Sequence, residues 1–250
     1  MKTRSRMPTI PMLTRGRGAV AAAMIAALVG ITAQTAGADT DRKHAKPARE
    51  SVVAQATVPS VTVYKKPDGA DVKVVLSNPT KAGGPRVFLV SKQRPDGWLR
   101  VYLPLRPNHS RGWIRTSDVR LARNPYRVTV SYEKHRITVF KSNDRFLREK
   151  VALGRKDVTP TPGGVYYLAE LYDVPNDAGP YGPFAFALSG FSETLRSFKG
   201  GDAIIGIHGT NQPQLLGQDV SHGCIRMSNE GVTALAQLLP LGTPVRITKK

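Results

Sequence analysis

The chain has 250 residues, which is enough for one large domain or two modest ones. Its 37 lysines and arginines outnumber 18 acidic residues, so the formal net charge is +19 at pH 7. That charge favours polyanionic surroundings, which include nucleic acid, an anionic cell wall and a membrane face. A single cysteine, Cys224, excludes an intramolecular disulfide.

The first 38 residues have the pattern of a secretory signal peptide. Basic residues extend to Arg17, and the apolar run that follows over 19–31 is shorter than the roughly 20 residues of a membrane span. Ala36-Gly37-Ala38 then supplies the small residues of a cleavage site before Asp39. We therefore expect export to the cell wall or periplasmic space, with residues 1–38 removed or kept as an anchor. Export argues against nucleic acid as the partner.

Residues 39–57 are polar and of mixed charge, and we expect a flexible linker there. From residue 58 to 122, short alternating apolar runs are separated by turns such as Pro67-Asp68-Gly69, which predicts a small β-barrel or sandwich. This rhythm, together with Gly112-Trp113-Ile114-Arg115, resembles that of bacterial SH3-like domains. The resemblance implies a module that binds the wall or positions the next domain. A β-domain without a ligand of its own fits the pattern equally well.

Residues 125–248 are predicted to form a second domain, also rich in strands. Its alternating apolar runs predict a hairpin followed by a third strand, over residues 126–131, 136–140 and 145–153. The Pro/Gly-rich loop over 173–183 is long enough to cover a functional site. Towards the end of the chain, Ser228 or Asn229 can cap a single amphipathic helix.

Cys224 is the leading candidate for a reactive group in this domain. A thiol nucleophile needs a base or a cation nearby that favours the thiolate. His222 shares a face with Cys224 if the segment is extended, and His208 lies 16 residues upstream of the thiol. Gly223 allows tight backbone geometry in which N–H groups could stabilise an oxyanion. Spacing alone does not identify the base, and two core histidines beside an inert thiol would give the same pattern.

A zinc site is the alternative that the same residues allow. Imidazole and thiolate are good zinc ligands, so His208, His222 and Cys224 could supply three of them. Asp219 could supply the fourth ligand, or a water molecule could occupy that position. The residue types by themselves leave this alternative open.

The segments around Cys224 resemble the signature of YkuD-like L,D-transpeptidase catalytic domains. The matching segments are His208-Gly209, the block from Ser221 to Asn229, and Thr161-Pro162-x-Gly164 followed by Val165-Tyr166. The resemblance extends over about half of the chain. The 12 residues between His208 and Ser221 stand at or slightly below the family's usual range.

The resemblance implies a mixed β-sandwich without cofactor or metal, and it assigns roles by position. Cys224 becomes the nucleophile, His208 becomes its general base, and the carbonyl of Gly209 orients the imidazole. N–H groups around Gly223 and Cys224 would form the oxyanion hole. Ser221, His222 and Arg226 also match family positions, where they would shape the pocket or hold substrate. For His222, a structural hydrogen bond is an equal alternative to direct catalysis. For Arg226, a local salt bridge is an equal alternative to pairing with a substrate carboxylate.

The reaction that the resemblance implies is a two-step acyl transfer between peptidoglycan stem peptides. Cys224 attacks the bond between the L-centre and D-Ala of a tetrapeptide stem and releases D-Ala. An amine of another stem then takes the thioester and forms a 3→3 crosslink, or water takes it, as in an L,D-carboxypeptidase. The expected partners are stem peptides and the anionic wall, and the protein is expected to be a monomer. Three histidines match nothing in the family pattern and are expected at the surface: His44, His109 and His135.

Two other functions remain to be weighed. In a papain-like peptidoglycan hydrolase the cysteine precedes its histidine, whereas Cys224 follows both His208 and His222, so the order argues against that class. A non-catalytic wall-binding protein would use the basic β-module and would not need Cys224. Residues 58–121 are basic and hold no catalytic residue. We therefore expect that their removal weakens wall binding and that they are dispensable for turnover of a soluble substrate.

Overall fold

Strands account for much of the chain that the computed structural model describes, which is residues 50–175 and 178–248. The predicted leader over 1–38, most of the predicted linker and His44 lie outside the described residues. The described residues belong to one compact unit that begins at Lys46. They form two large sheets and one α-helix, so the predicted mainly β fold class is confirmed.

The N-terminal sheet has seven strands in the order β3-β2-β6-β5-β4-β1-β7. Val61 and Val63 alternate with more exposed neighbours and belong to one buried cluster with Leu99, Val101 and Ile114 of the same sheet. We call residues 51–124 the N-terminal unit, and its SH3-like character stays a prediction. Its strands are β1 (Ser51–Ala56), β2 (Ser60–Tyr64), β3 (Val72–Ser77), β4 (Val87–Gln93), β5 (Trp98–Tyr102), β6 (Arg111–Arg115) and β7 (Val119–Asn124).

The prediction of a flexible linker over residues 39–57 is wrong for residues 51–56, so the unit begins before the predicted boundary at residue 58. Strand β1 lies between β4 and β7 and pairs antiparallel with both. Val53, Ala54 and Ala56 are buried. Alanines among polar residues give only a weak hydrophobic alternation in the sequence, so the strand was not predicted. In the structure the neighbouring strands supply the rest of the core that covers them.

The second sheet has eight strands in the order β10-β9-β8-β17-β12-β13-β14-β16, and β11 pairs parallel with β15 beside it. The predicted hairpin and third strand are confirmed as β8, β9 and β10. The strands are β8 (Tyr126–Ser131), β9 (Arg136–Lys141), β10 (Asp144–Lys150), β11 (Leu153–Gly154), β12 (Gly164–Asp173), β13 (Phe184–Phe191), β14 (Ile204–His208), β15 (Asp219–Ser221), β16 (Ile225–Arg226) and β17 (Pro244–Thr248).

Helix α1 (Asn229–Leu238) packs on the apolar core of the second sheet through Val232 and Leu235. The Ser228 side chain accepts a hydrogen bond from the Gly231 N–H at 2.9 Å, so the predicted serine cap is confirmed. A cap of this kind satisfies one of the unpaired N–H groups that every helix has at its start. Within the described part of the chain, no helix has the length and apolar character needed to cross a membrane.

The N-terminal unit packs directly on the second sheet. Val53, Val87 and Leu89 form a buried cluster with Tyr167 and Ala169 of β12. At the junction, the buried side chain of Asn124 donates to Thr243 Oγ1 at 2.9 Å and accepts from the Tyr126 N–H at 2.9 Å. Because apolar contacts and a buried hydrogen bond join the two sheets, the N-terminal unit has a defined place beside the second sheet.

Strands β14 and β16 position the residues that the sequence singles out. They run parallel at one end of the second sheet, with Ile207 opposite Ile225 and His208 opposite Arg226. The Met227 N–H continues this pairing by donating to the His208 carbonyl at 2.9 Å. The end of β14 and the segment that carries Cys224 therefore meet at one edge of the sheet.

Candidate active site

Ser221 shapes the turn that presents Cys224. Its buried hydroxyl accepts from the Gly223 N–H at 3.0 Å and donates to the Cys224 carbonyl at 2.6 Å. Gly223 has φ +118°, and a Cβ there would lie 2.8 Å from Ile205 Cδ1. The positive φ therefore favours glycine at this turn.

Two buried threonines hold the same turn from the other side. Thr159 Oγ1 donates to the Ser221 carbonyl at 3.0 Å, and Thr161 Oγ1 donates to the Gly223 carbonyl at 2.9 Å. Thr161 Oγ1 also accepts from the Gly154 N–H at 2.9 Å. Four polar groups of the turn are thus paired in a buried setting, where an unpaired group would be costly. The Thr161-Pro162-x-Gly164 segment has a structural role in the site.

The Cys224 thiol lies against strand β14 and is partly exposed. Its Sγ accepts a hydrogen bond from the Gly206 N–H at 3.4 Å. Burial of its surroundings raises the pKa of the Cys224 thiol, while the Gly206 N–H and the positive charge of Arg226 act to lower it. A thiol with a raised pKa is mostly protonated at neutral pH, so nucleophilic attack by this sulfur would need a base.

His208 is buried, with 5% of its surface exposed. Its Nδ1 lies 2.6 Å from the Gly209 carbonyl. A carbonyl can only accept, so this contact favours the tautomer that carries the proton on Nδ1 and leaves Nε2 free to accept one. Burial lowers the pKa of His208 to about 4, with a smaller contribution from the charge of Arg226 and an opposing one from the Gly209 carbonyl. The imidazole is therefore neutral at neutral pH.

The thiol and the imidazole share the walls of two adjoining clefts. One cleft has a volume of about 160 Å³ and is lined by His208, Ser221, His222, Cys224 and Arg226 together with Pro180, Tyr181, Phe198 and Lys199. The other has a volume of about 240 Å³ and includes Ala185, Ala187, Ile204 and Gly206 as well as His208 and Cys224. Two clefts that share these two side chains offer space for two ligands.

Four residues that line the smaller cleft are absent from the sequence prediction: Pro180, Tyr181, Phe198 and Lys199. Tyr181 belongs to the Pro/Gly-rich loop that was expected to cover a site, and its ring lies 4.8 Å from the His208 ring. Phe198 and Lys199 come from the segment between β13 and β14, which carries no motif. The Lys199 ammonium lies 5.4 Å from the Tyr181 ring and 5.8 Å from the Phe198 ring.

The prediction that the Gly223 N–H serves an oxyanion hole is wrong for this arrangement, because that N–H already donates to Ser221 Oγ. The Cys224 N–H has no acceptor among the described residues. It is therefore the N–H of this pair that remains available to a ligand oxygen.

The remaining predicted residues line the cleft in different ways. His222 is exposed, and its ring lies 5.2 Å from that of Phe198. Its pKa is lowered by partial burial and by the positive charges of Arg155, Arg226 and Lys199. Arg226 is half-buried, and no acidic side chain of the described residues pairs with it. Its guanidinium is therefore available to an anionic ligand.

Asp219, which could have been a fourth zinc ligand, lies 2.7 Å from His135 Nε2 instead. Residues 50–175 and 178–248 contain no group of three His, Cys, Asp or Glu side chains arranged to hold a metal ion.

The prediction that His135 is a surface residue is wrong, because it is half-buried against Asp219. His109 is exposed as predicted, and its ring centre lies 5.1 Å from that of Tyr166, with the two ring planes tilted by 41°.

Known proteins share the part of the chain that builds this site. A sequence model of the L,D-transpeptidase catalytic domain matches residues 125–247. YkuD of Bacillus licheniformis is 36% identical over 124 residues, which are 50% of this chain and 66% of that protein. YkuD of Bacillus subtilis is 35% identical over 125 residues, which are 50% of this chain and 67% of that protein. YqjB of Bacillus subtilis is 35% identical over 133 residues, which are 50% of this chain and 72% of that protein. Their names assign all three to the L,D-transpeptidases, and this chain matches about two thirds of their lengths.

The lowered pKa of His208 predicts a pH dependence of stability. Because folding lowers this pKa from 6.5 to about 4, the unfolded chain binds more protons than the folded chain between those pH values. The contribution of neutral His208 to the free energy of unfolding is therefore complete above pH 6.5 and is lost as pH falls towards 4. Below that pH the free energy of unfolding is lower by about 3 kcal/mol. Urea unfolding at several pH values should give a shallower decline for His208→Gln than for the wild type. The control, His222→Gln, removes an exposed histidine whose pKa is also lowered, so it should change the slope less than His208→Gln does. Equal slopes for all three proteins would contradict the prediction.

Proposed function

The chain belongs to the L,D-transpeptidase catalytic domain family, and we propose that it is an exported L,D-transpeptidase that uses Cys224 as nucleophile and His208 as general base. One observation carries the proposal: a thiol and an imidazole line the same clefts, and the Gly209 carbonyl holds the imidazole tautomer that can accept a proton. The Gly209 carbonyl would thus orient the imidazole, as the aspartate does in a serine protease triad.

In the first proposed step, the Cys224 thiol gives its proton to Nε2 of His208 while the sulfur attacks a stem-peptide carbonyl. That carbonyl belongs to the L-centre residue that precedes D-Ala, and diaminopimelate is the expected residue there. The oxyanion that forms accepts a hydrogen bond from the Cys224 N–H. When the C–N bond breaks, His208 returns the proton to the departing amine of D-Ala, and a thioester to Cys224 remains.

In the second step, the amine of another stem attacks the thioester, and His208 takes a proton from it. The C–S bond breaks, the sulfur regains a proton, and the new amide is a 3→3 crosslink. Water in place of the amine would give an L,D-carboxypeptidase. The two clefts that meet at Cys224 favour a reaction with two substrates, because the second can enter while the first is still attached.

The electrostatics of the site suit a reaction in which proton transfer accompanies attack. Burial raises the pKa of Cys224 and lowers that of His208, so both groups rest in their neutral forms. Neither form carries a charge that the buried site must tolerate between turnovers. Arg226 and Lys199 bring positive charge to the cleft, where they can pair with carboxylates of the stem peptide.

We also propose that the exported protein associates with the anionic wall through the second sheet. On its outer side, Lys134, Arg136, Arg145 and Arg148 surround a trough of about 340 Å³. Thr129, Ser131 and Thr138 also line the trough, and none of the described residues that line it is acidic. The positive charge of this trough would attract a polyanionic polymer, and no acidic side chain of its lining would repel the polymer.

Pelleting with purified wall sacculi tests this association. Replacing two cations by Arg136→Gln/Arg148→Gln should weaken binding by roughly tenfold at low salt and reduce its salt dependence. The matched control is Lys92→Gln/Arg100→Gln, a cross-strand pair of exposed cations in the N-terminal unit. Equal losses for the two double variants would mean that only net charge matters and would overturn this assignment.

Covalent labelling of the nucleophile tests the proposed chemistry. The family resemblance implies acylation by carbapenems, whose strained ring offers a carbonyl to the thiolate. Intact-mass analysis should show one carbapenem adduct that maps to Cys224, and Cys224→Ser should form little, because an alcohol is far less easily ionised than a thiol. His208→Ala should slow acylation by at least about a hundredfold.

The same experiment separates the alternatives. A chelator should leave acylation unchanged, whereas activity that is lost on chelation and restored by zinc would support a metal site. Folded wild-type protein without an adduct would favour a non-catalytic wall-binding function. An adduct that persists in Cys224→Ala would contradict the assignment of the nucleophile.

A further inference from the structure

The segment between β13 and β14, residues 192–203, borders the cleft that contains the thiol. We call this segment the strap. It brings Phe198 and Lys199 to the cleft, and a tight turn joins Phe198 to Gly201 through reciprocal N–H to carbonyl hydrogen bonds of 2.9 and 3.0 Å. Most of the strap is exposed, and only Ser192 and Ala203 at its two ends are buried. A segment with so little buried apolar surface depends on outside contacts for its shape.

Arg106 of the N-terminal unit supplies such contacts. It lies in the loop between β5 and β6, and its Nη1 donates to the Ser192 carbonyl at 2.7 Å. Its Nη2 donates to the carbonyls of Leu195 and Asp202, each at 3.0 Å. One guanidinium therefore binds the outgoing and the returning limb of the strap at once. The planar arrangement of its N–H donors allows this, and the single ammonium of lysine could not reproduce it.

Asn108, from the same loop, fixes the point where the strap leaves the sheet. Its Nδ2 donates to the Phe191 carbonyl at 2.8 Å, and its Oδ1 accepts from the Phe191 N–H at 2.9 Å. Phe191 lies beyond the last residue of β13 that pairs with β12. The asparagine amide therefore pairs with Phe191 as a neighbouring strand would. The Arg106 guanidinium also lies 4.9 Å from the centre of the Phe191 ring.

From these contacts we propose that Arg106 and Asn108 are positioning residues of the active site. They hold the strap so that Phe198 and Lys199 border the cleft at Cys224. The N-terminal unit therefore contributes to catalysis by positioning residues of the cleft. This inference rests on the proposed transpeptidase function, because the cleft is where the stem peptide would bind. It replaces the expectation that residues 58–121 are dispensable for turnover of a soluble substrate.

The proposal predicts a loss of order in the strap together with a loss of efficiency. In Arg106→Ala, amide hydrogen exchange should quicken over residues 192–203 and stay unchanged in the β8–β9 hairpin. Release of D-Ala from a soluble tetrapeptide stem should fall in kcat/KM by between about tenfold and a hundredfold, because binding-site groups would be misplaced. Asn108→Ala should act in the same direction, and Arg106→Lys should restore little of the loss.

Two controls separate positioning from general damage. Arg111→Ala removes another arginine of the N-terminal unit, one that donates to Tyr102 and does not touch the strap, and it should behave as the wild type. Alkylation of Cys224 by iodoacetamide should be no slower in Arg106→Ala, since the thiol and His208 keep their own supports. If Arg106→Ala fails to fold, Arg106→Lys and Asn108→Ala carry the same test.

Wild-type exchange over the strap in Arg106→Ala and Asn108→Ala would overturn the proposal, and so would a looser strap with unchanged kcat/KM. Failure of the proposed function looks different. In that case the wild-type protein itself would release no D-Ala, while exchange over residues 192–203 would still report whether the two residues hold the strap.

Discussion

The site depends on the parallel pairing of β14 with β16. This pairing sets the Gly206 N–H beside Cys224 Sγ and His208 opposite Arg226, so one short stretch of backbone determines where sulfur, imidazole and guanidinium lie. The turn that leads into β16 cannot relax independently, because Ser221, Thr159 and Thr161 satisfy its polar groups in a buried setting. Buried hydrogen-bond networks of this kind are rigid when every member is paired.

Burial has opposite effects on the pKa values of the two proposed catalytic groups, and both effects favour neutral side chains in the resting site. It raises the pKa of Cys224 and lowers the pKa of His208 to about 4. A thiolate–imidazolium pair would leave a reactive anion exposed to oxidation between turnovers, whereas a neutral pair needs a substrate to complete the transfer. The Gly209 carbonyl orients the histidine without adding a formal charge, so in the proposed mechanism a single backbone contact sets the direction of proton transfer.

The sequence predicted the local parts of this account well. Alternation identified β8, β9 and β10, the serine cap identified α1, and family resemblance brought Cys224, His208 and Gly209 to attention. What it missed depends on contacts between distant residues. Arg106 reaches residues 86 to 96 positions away, and the pairing of His135 with Asp219 spans 84 positions. Strand β1 was missed because its alanines are buried only after β4 and β7 flank them.

The most direct test of the account uses a purified tetrapeptide stem and the full chain. Rapid quenching followed by intact-mass analysis should reveal a tripeptide thioester on Cys224, with one D-Ala released for each thioester formed. Adding a second stem should then convert the thioester into a 3→3 dimer, which tandem mass spectrometry distinguishes from a 4→3 dimer. Cys224→Ser should give neither thioester nor dimer. Dimer formation by Cys224→Ser, or D-Ala release by the wild type without any thioester, would contradict the central claim.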